Sequence, residues 1–600
     1  MAGTWKLIPN QSLASIDTML LLTDGTVIAH QSNSPNWHRL TPNSSGSYEN
    51  GTWSSIAPMP PNPAISAANG GPTYGPLFFG SAVLKDGTLL VIGGEYNTGI
   101  SCDLAAATLY DPVTNSWTNL TTPAGWTNVG DVPLCVMPDG RVLLGNIENN
   151  QTAFFDPTTK AYTAGPNKSD RCAEESFTLM PDGTVLVVDC TTIPKAEKYV
   201  PTSNSWVSAG STPATLPQAC SGIVPEIGPS VLLATGQLLV IGATGNTAVY
   251  TPPAVPSQPG TWTAGPVLKD AGGNTMFPID APAVLLPNGR VLLAASPAPP
   301  CSFPGPTSFF EYDPAANTAT LVPSPSNAGG PCFTGRLLTV PSGKVLYSSQ
   351  SGTVAVYTPD GTPDNAWRPA ITSCPTALQA GHSYLISGIQ FNGLSQACSY
   401  GDDATMATNY PIVQLTNNST GVVTFCRTAN HSTMAVATGA AVVSTTFTIP
   451  SGLAAGSYTL VVIANGIPSA GYVVHLGIKF IKEHKLEIKE IKEHKFEKLE
   501  IKEIKEHKHE KLEIKELEHK QLIEVVKPKD AENINFHLGG GGDPALVAAL
   551  QEIHTRIDAL SATVGQQRAP IPPEERPEVG EAALKHSTKK LKHSTKKSKT

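Results

Sequence analysis

The feature that most constrains this chain is a hairpin signal written seven times. A short apolar run, a turn ending in Gly and a second apolar run recur about every 50 residues. The copies are MLLLTDGTVIAH (Asp24-Gly25), SAVLKDGTLLVIGG (Asp86-Gly87), PLCVMPDGRVLLG (Asp139-Gly140), FTLMPDGTVLVVD (Asp182-Gly183), SVLLATGQLLVIG (Thr235-Gly236), PAVLLPNGRVLLA (Asn288-Gly289) and LLTVPSGKVLYSS (Ser342-Gly343). Each reads as a two-residue β-hairpin turn, whose positive φ Gly and Asn/Asp tolerate. The apolar runs are short and nearly continuous, as in strands buried on both faces.

Most hairpins are followed by a third run that ends in an aromatic-x-Pro turn: Tyr110-Asp-Pro112, Phe155-Asp-Pro157, Tyr199-Val-Pro201, Tyr250-Thr-Pro252, Tyr312-Asp-Pro314 and Tyr357-Thr-Pro359. A Trp stands shortly after or between such units, at Trp53, Trp117, Trp206, Trp262 and Trp367. A fourth strand carrying that Trp makes each unit a four-stranded sheet. Seven such sheets around an axis leave few exposed edges, so the expected fold is all-β, a seven-bladed β-propeller over residues 1–369. From 370 to 476 the runs IVQLT, GVVTFC, STTFTI and YTLVVIA alternate between Gly/Asn/Pro turns and read as a β-sandwich.

The hairpin, Tyr-Asp-Pro and Trp pattern resembles kelch repeats, and the layout over roughly residues 10–475 resembles the galactose oxidase-like proteins. That resemblance implies an immunoglobulin-like early-set domain after the propeller. It also implies one copper held by two Tyr and two His, with one Tyr cross-linked to a Cys. Counting from the turns, the Cys position holds Thr18 and the cross-linked Tyr position holds Phe78. The Tyr-His pair falls on Ile279-Asp280 or Phe333-Thr334, and the last His near YGDDATMATN, at Met406. None of these is a copper ligand, so no cofactor is expected.

The residues seven to nine before each turn begin the innermost strand, near the mouth of the central channel. Many are acidic: Asp17, Asp131, Glu174, Glu175, Glu226 and Asp280, whereas the second repeat offers Phe78 and Phe79 and the seventh Phe333 and Thr334. A funnel of carboxylates and aromatic rings suits a cation or sugar hydroxyls. Solvated carboxylates at strand starts are the plainer reading of the same residues. Crowded carboxylates repel and raise one another's pKa unless a cation lies among them.

Two regions differ sharply in charge. Residues 1–477 hold 15 Lys+Arg and 26 Asp+Glu, and residues 478–600 hold 25 and 22, so the net −8 is the sum of −11 and +3. Neither value predicts a nucleic-acid surface. No run approaches the roughly 20 apolar residues of a membrane span. The amino-terminal segment, with one Lys and a broken apolar run, makes a poor secretory signal, whereas the Lys-poor, Asn/Thr-rich composition suits an extracellular surface. All ten Cys lie before residue 478, with Cys301/Cys332 and Cys398/Cys426 as candidate pairs that spacing cannot settle. The histidines His30, His38, His382, His431 and His475 lack metal-ligand spacing.

The tail divides into three. Residues 477–538 carry a 13-residue Lys/Glu/His-rich unit, with Ile488, Ile501 and Ile514 equivalent, which favours helix but closes on no helical period. A stacked β arrangement is the rival reading. In 543–565, after four glycines, Leu546, Leu550, Ile553, Ile557, Leu560 and Val564 alternate at four and three, the seam of a short coiled coil. Residues 566–600 are Pro-rich, then basic, and have the composition of a disordered segment. The expectation is a propeller head for binding or assembly on a self-associating tail, with a glycan or surface component as ligand. The alternatives are a galactose oxidase-like oxidoreductase with a rearranged metal site, and a carbohydrate-active hydrolase using channel carboxylates.

Overall fold

The computed structural model describes residues 3–9, 14–218, 225–297, 303–400 and 406–477. The chain divides into units Met1–Lys495 and Phe496–Thr600. The 13-residue repeat, the heptad seam and the basic tail lie outside the described residues. Within these, the structure is all-β, with three single-turn 3-10 segments and no α-helix.

The seven hairpin signals all form hairpins, with a turn one residue longer than expected. In the first, Gly25 N donates to Leu22 O at 3.0 Å and Leu22 N to Thr26 O at 2.8 Å. Gly25 has φ 75°, whereas Asp24 is not left-handed. This is a type I turn closed by a glycine bulge, which needs positive φ at one residue only. The Asp acts through its side chain instead. Its Oδ1 accepts from the backbone N–H of the Thr two residues on, at 2.9 Å in Asp24 and Asp86 and 3.0 Å in Asp182. That bond satisfies the turn's free N–H and fixes the register.

Each hairpin grows into an antiparallel sheet of four strands, to which the sixth adds two short ones, Met276–Phe277 and Cys398–Tyr400. The first comprises Ile16–Leu21, Val27–Gln31, Trp37–Thr41 and Thr52–Ser55, and the next five follow the same consecutive order. From the second sheet to the seventh, each first strand lies against the first strand of the next, and that of the seventh lies against that of the first. On the outer strands Trp117, Trp206 and Trp262 stand opposite Tyr110, Tyr199 and Tyr250. Trp117 and Trp262 each donate to a carbonyl of the preceding repeat, Ala57 at 2.8 Å and Ala209 at 2.9 Å. At these two positions the Trp ties one sheet to the one before.

The seventh repeat differs. Trp367 lies in a 3-10 turn, not on a fourth strand. The outer strand of the seventh sheet is instead Thr4–Leu7, from the start of the chain, which pairs with Ala355–Thr358 and places Trp5 opposite Tyr357. Gly-Thr-Trp occurs here at 3–5, and again at 51–53 and 260–262. A Cβ at Gly3, Gly51 or Gly260 would come within 2.5, 2.6 and 2.5 Å of a third-strand carbonyl oxygen. The glycine is what lets the Trp strand begin so close to its neighbour.

From Ala370 onward the strands form one nine-stranded, curled sheet rather than two separate ones. Alternate residues point into a core that includes Phe391, Phe447, Tyr458 and Leu460. This unit caps the turn end of the hairpins: Thr428 N donates to Thr23 O, Arg427 Nη2 to Asp86 O at 2.8 Å and Met434 N to Pro138 O at 3.0 Å. One of its segments, Cys398–Tyr400, pairs with the first strand of the sixth sheet, Pro282–Leu285. Cys398 and Cys426, a candidate disulfide, are separate buried thiols, one on that segment and one in the curled sheet's core. Cys332 is also a free buried thiol, and Cys301 lies outside the described residues.

Trp5 packs against Phe309, Tyr347 and Tyr357 at 4.9, 5.8 and 4.8 Å between ring centroids. Trp5→Ala is expected to cost about 3 kcal/mol in urea denaturation. Loss below about 0.5 kcal/mol would show that this strand does not hold the seventh sheet.

Candidate functional site

The end of the first strands opposite the cap gathers carboxylates from three repeats, and Phe78 and Asp280 there have positive φ. Three consecutive repeats meet there through their backbones. Glu174 and Glu226 pair in parallel, Glu226 exchanges hydrogen bonds with Gln218, and Asp280 N donates to Ile227 O at 3.3 Å. Successive strand starts are therefore side by side, and one carboxylate oxygen from each of Glu174, Glu226 and Asp280 lies within 4.8 Å of the others. Glu174 and Asp280 are half-buried and Glu226 is 7% exposed. Burial, followed by the Glu226 carboxylate beside it, pushes the Asp280 pKa well up; Glu95 adds to this and Arg336 opposes it. Asp280 also has φ 45°, a left-handed conformation that Asp tolerates better than most residues.

An aromatic side adjoins this acidic one. Phe78, half-buried and at φ 49°, meets Tyr96 at 6.2 Å and Phe333 at 6.0 Å, and Phe333 meets Phe303 at 5.4 Å. A short sheet of Pro76–Leu77, Tyr96–Asn97 and Ile100–Ser101 carries Phe78 and Tyr96. Asn97 braces it, with Nδ2 donating to Asn69 O at 2.6 Å and Thr73 O at 3.0 Å. Between the strands Glu95 N donates to Phe78 O at 2.9 Å. Burial, with Asp103 next, lifts the Glu95 pKa to about 7. Asp131, 7% exposed, lies close enough to raise the Tyr96 pKa.

Three residues expected at the mouth lie beneath it. Asp17 is fully buried against Arg336, Oδ1 to Nη2 3.3 Å. Arg336 in turn donates from Nη1 to the Phe333 and Gly335 carbonyls, both at 2.9 Å, and stacks over Phe78 at 5.6 Å. Phe79 is fully buried and packs on His30 and Trp37. Glu175, unlike its neighbour Glu174, is fully buried. It forms a buried ion pair with Lys168, which also reaches Asp189 at 3.4 Å. Burial lifts Glu175 to about 8 and Asp189 to about 7. Burial works against charge on Lys168, but Glu175, Cys172 and Asp189 together hold it protonated. Near neutral pH one carboxylate keeps a proton, so the cluster buries little net charge.

The copper set of the galactose oxidase-like pattern does not fit these residues. Thr18 and Met406 are buried, and Phe78 and Phe333 offer rings without oxygen. Among the described residues the two groups of three possible ligands are all-carboxylate, Asp170/Glu175/Asp189 and Glu174/Glu226/Asp280. Carboxylates suit hard cations, whereas copper-radical chemistry needs imidazole and phenolate.

No family model and no curated protein matches this chain. Among solved structures it is similar to a fungal alcohol oxidase of the AA5 family in complex with copper, at 15% identity and TM-score 0.46. That match covers 79% of this chain and 99% of that one. Virginiamycin B lyase from Staphylococcus aureus matches at 10% identity and TM-score 0.39, over 59% and 99% of the two chains. The extracellular domain of a putative hybrid two-component system from B. thetaiotaomicron matches at 11% and TM-score 0.39, over 79% and 59%.

The buried groups set a pH dependence. Glu95, Glu175 and Asp189 bind protons more tightly folded than unfolded. Their stabilisation is complete near pH 4 and lost as pH rises through about 7 to 8. His30 and His431, held neutral by burial with pKa about 4 and about 3, act the other way, and their stabilisation is lost below about pH 6.5. Melting temperature is therefore expected to fall between about pH 6.5 and 8.5. Lys168→Met, which leaves two buried carboxylates without their cation, is expected to cost about 3–5 kcal/mol in urea denaturation. A loss under about 1 kcal/mol would contradict this account of the cluster.

Proposed function

We propose that the chain is a non-enzymatic binding head, a seven-bladed β-propeller with an immunoglobulin-like domain behind it, that takes a cationic group at the mouth of its channel. The observation that carries this reading is the convergence of Glu174, Glu226 and Asp280 within 4.8 Å. Asp280 Oδ1 is buried without a hydrogen-bond partner, and burial first, then the Glu226 carboxylate, raises its pKa, a cost to its charged form that a cation would offset. The cation is either a metal ion or an ammonium group on a larger surface ligand, for which Phe78 and Tyr96 supply ring faces.

The distances favour this over a hydrolase. Paired catalytic carboxylates in glycosidases stand about 5–9.5 Å apart to admit the glycosidic bond or water. Here Glu226 and Asp280 share a hydrogen bond, which leaves no room between them for a water or a glycosidic bond. An oxidase related to galactose oxidase would need a ligand set from residues other than those at the expected positions.

For the tail, we propose self-association through Leu546, Leu550, Ile553, Ile557, Leu560 and Val564, so that several heads bind together and gain avidity. This rests on the heptad spacing of the sequence.

Calcium chloride and ethylammonium chloride are the two probes for the head. At least one is expected to raise its melting temperature, by about 2.7 kcal/mol of stabilisation at a hundredfold excess over Kd. The shift is expected to be larger at pH 8 than at pH 5, because cation and proton compete, and to vanish in Glu226→Gln. No shift with either probe, or stoichiometric copper with peroxide formed from alcohols, would overturn the reading. Light scattering on the full chain is expected to show an oligomer that Leu550→Asp with Ile557→Asp converts to a monomer.

A further inference from the structure

A second recess lies away from the channel, on the outer side of the third sheet. It is a groove of about 160 Å³ between the loop that holds Trp126 and the outer strands Thr152–Asp156 and Ala161–Ala164. We infer that this groove binds a single pyranose ring of a neutral glycan.

Size comes first. A 150 Å³ cavity accommodates one six-membered ring, as benzene in an engineered lysozyme cavity shows. A groove of 160 Å³ therefore has room for one ring. Chemistry comes next. The walls carry two aromatic side chains, Trp126 and Tyr162, whose faces suit the C–H face of a sugar. Tyr162 Oη is buried and has no hydrogen-bond partner. Burial pushes its pKa far above the ordinary range, so it is a neutral hydroxyl, able to donate and to accept. The rim adds the exposed amides Gln151 and Asn167 and the exposed hydroxyl of Thr163. No side chain lining the groove carries a charge, so it offers nothing to an ion.

The floor is held in place. Thr152 Oγ1 donates to Pro166 O at 2.7 Å and Gly165 N to Thr152 O at 2.8 Å. Asn150 Nδ2 donates to Lys168 O at 2.9 Å, and Lys168 N to Asn150 O at 2.9 Å. A Cβ at Gly165 would approach Thr152 Oγ1 to 2.4 Å, so the segment lies as close as glycine allows. The amide of Asn167 is thus presented from a fixed backbone, which lowers the entropy lost on binding.

The test uses the full chain and a panel of methyl pyranosides, followed by tryptophan fluorescence and saturation-transfer NMR. At least one pyranoside is expected to bind with Kd of about 1 mM. Affinity is expected to be unchanged between low and high salt and between about pH 5.5 and 8, since neither partner titrates there. Gln151→Ala and Asn167→Ala, both exposed and safe for folding, are each expected to weaken binding about fivefold, and Tyr162→Phe about tenfold. Glu226→Gln, in the channel mouth, is expected to leave it unchanged. No saturation by any pyranoside up to about 50 mM would overturn the inference. So would binding that survives all three groove substitutions, or binding that Glu226→Gln abolishes.

Discussion

The pairing of Thr4–Leu7 with Ala355–Thr358 is the interaction on which the rest of the structure depends. It makes one sheet from both ends of a stretch of more than 350 residues, and the first and sixth sheets lie on either side of that sheet. Six sheets can form from local hairpins, where closure entropy is small. The seventh requires the chain to return to its start, and what repays that long closure is Trp5 among Phe309, Tyr347 and Tyr357. Once it forms, the first strands are fixed against one another and so are the residues at their starts.

The channel mouth is a consequence of that fixation. Glu174, Glu226 and Asp280 come from three different repeats, yet adjoining backbone hydrogen bonds hold them together. Unconstrained, three carboxylates would separate into water. The left-handed backbone at Phe78 is a further cost carried by the scaffold. Below them, Lys168 and Arg336 neutralise Glu175 and Asp17, so the buried layer is balanced and the acidic excess is confined to the opening. Carboxylates placed this way suit a positive group, and among the described residues the two clusters of possible metal ligands contain no imidazole.

Much of this was legible in the sequence, for reasons that can be named. The hairpins were visible because Gly25, Gly87, Gly140, Gly183, Gly236, Gly289 and Gly343 each occupy the one left-handed position of their turn. Counting back from those turns also found Glu174, Glu226, Asp280 and Phe78, since strand starts are a fixed distance from turns. The same count could not say how deep a side chain lies, so the fully buried Phe79 and Glu175 were grouped with their half-buried neighbours. It also missed Glu95, Tyr96 and Arg336. Glu95 and Tyr96 follow the second strand of their hairpin, and Arg336 was a lone charge in GRLLTVPSG whose depth no pattern reveals. The origin of the seventh outer strand was overlooked, although Gly-Thr-Trp at 3–5 repeats the triplets at 51–53 and 260–262.

The central claim is that the mouth holds a cation among carboxylates that otherwise share a proton. Calorimetric titration of the full chain with calcium chloride or ethylammonium chloride, at about pH 6.5 in two buffers of different ionisation enthalpy, tests this directly by counting protons. Because burial and then the Glu226 carboxylate raise the pKa of Asp280, binding is predicted to release protons, and Asp280→Asn to release fewer. Binding without proton release, or no binding by either cation, would contradict it.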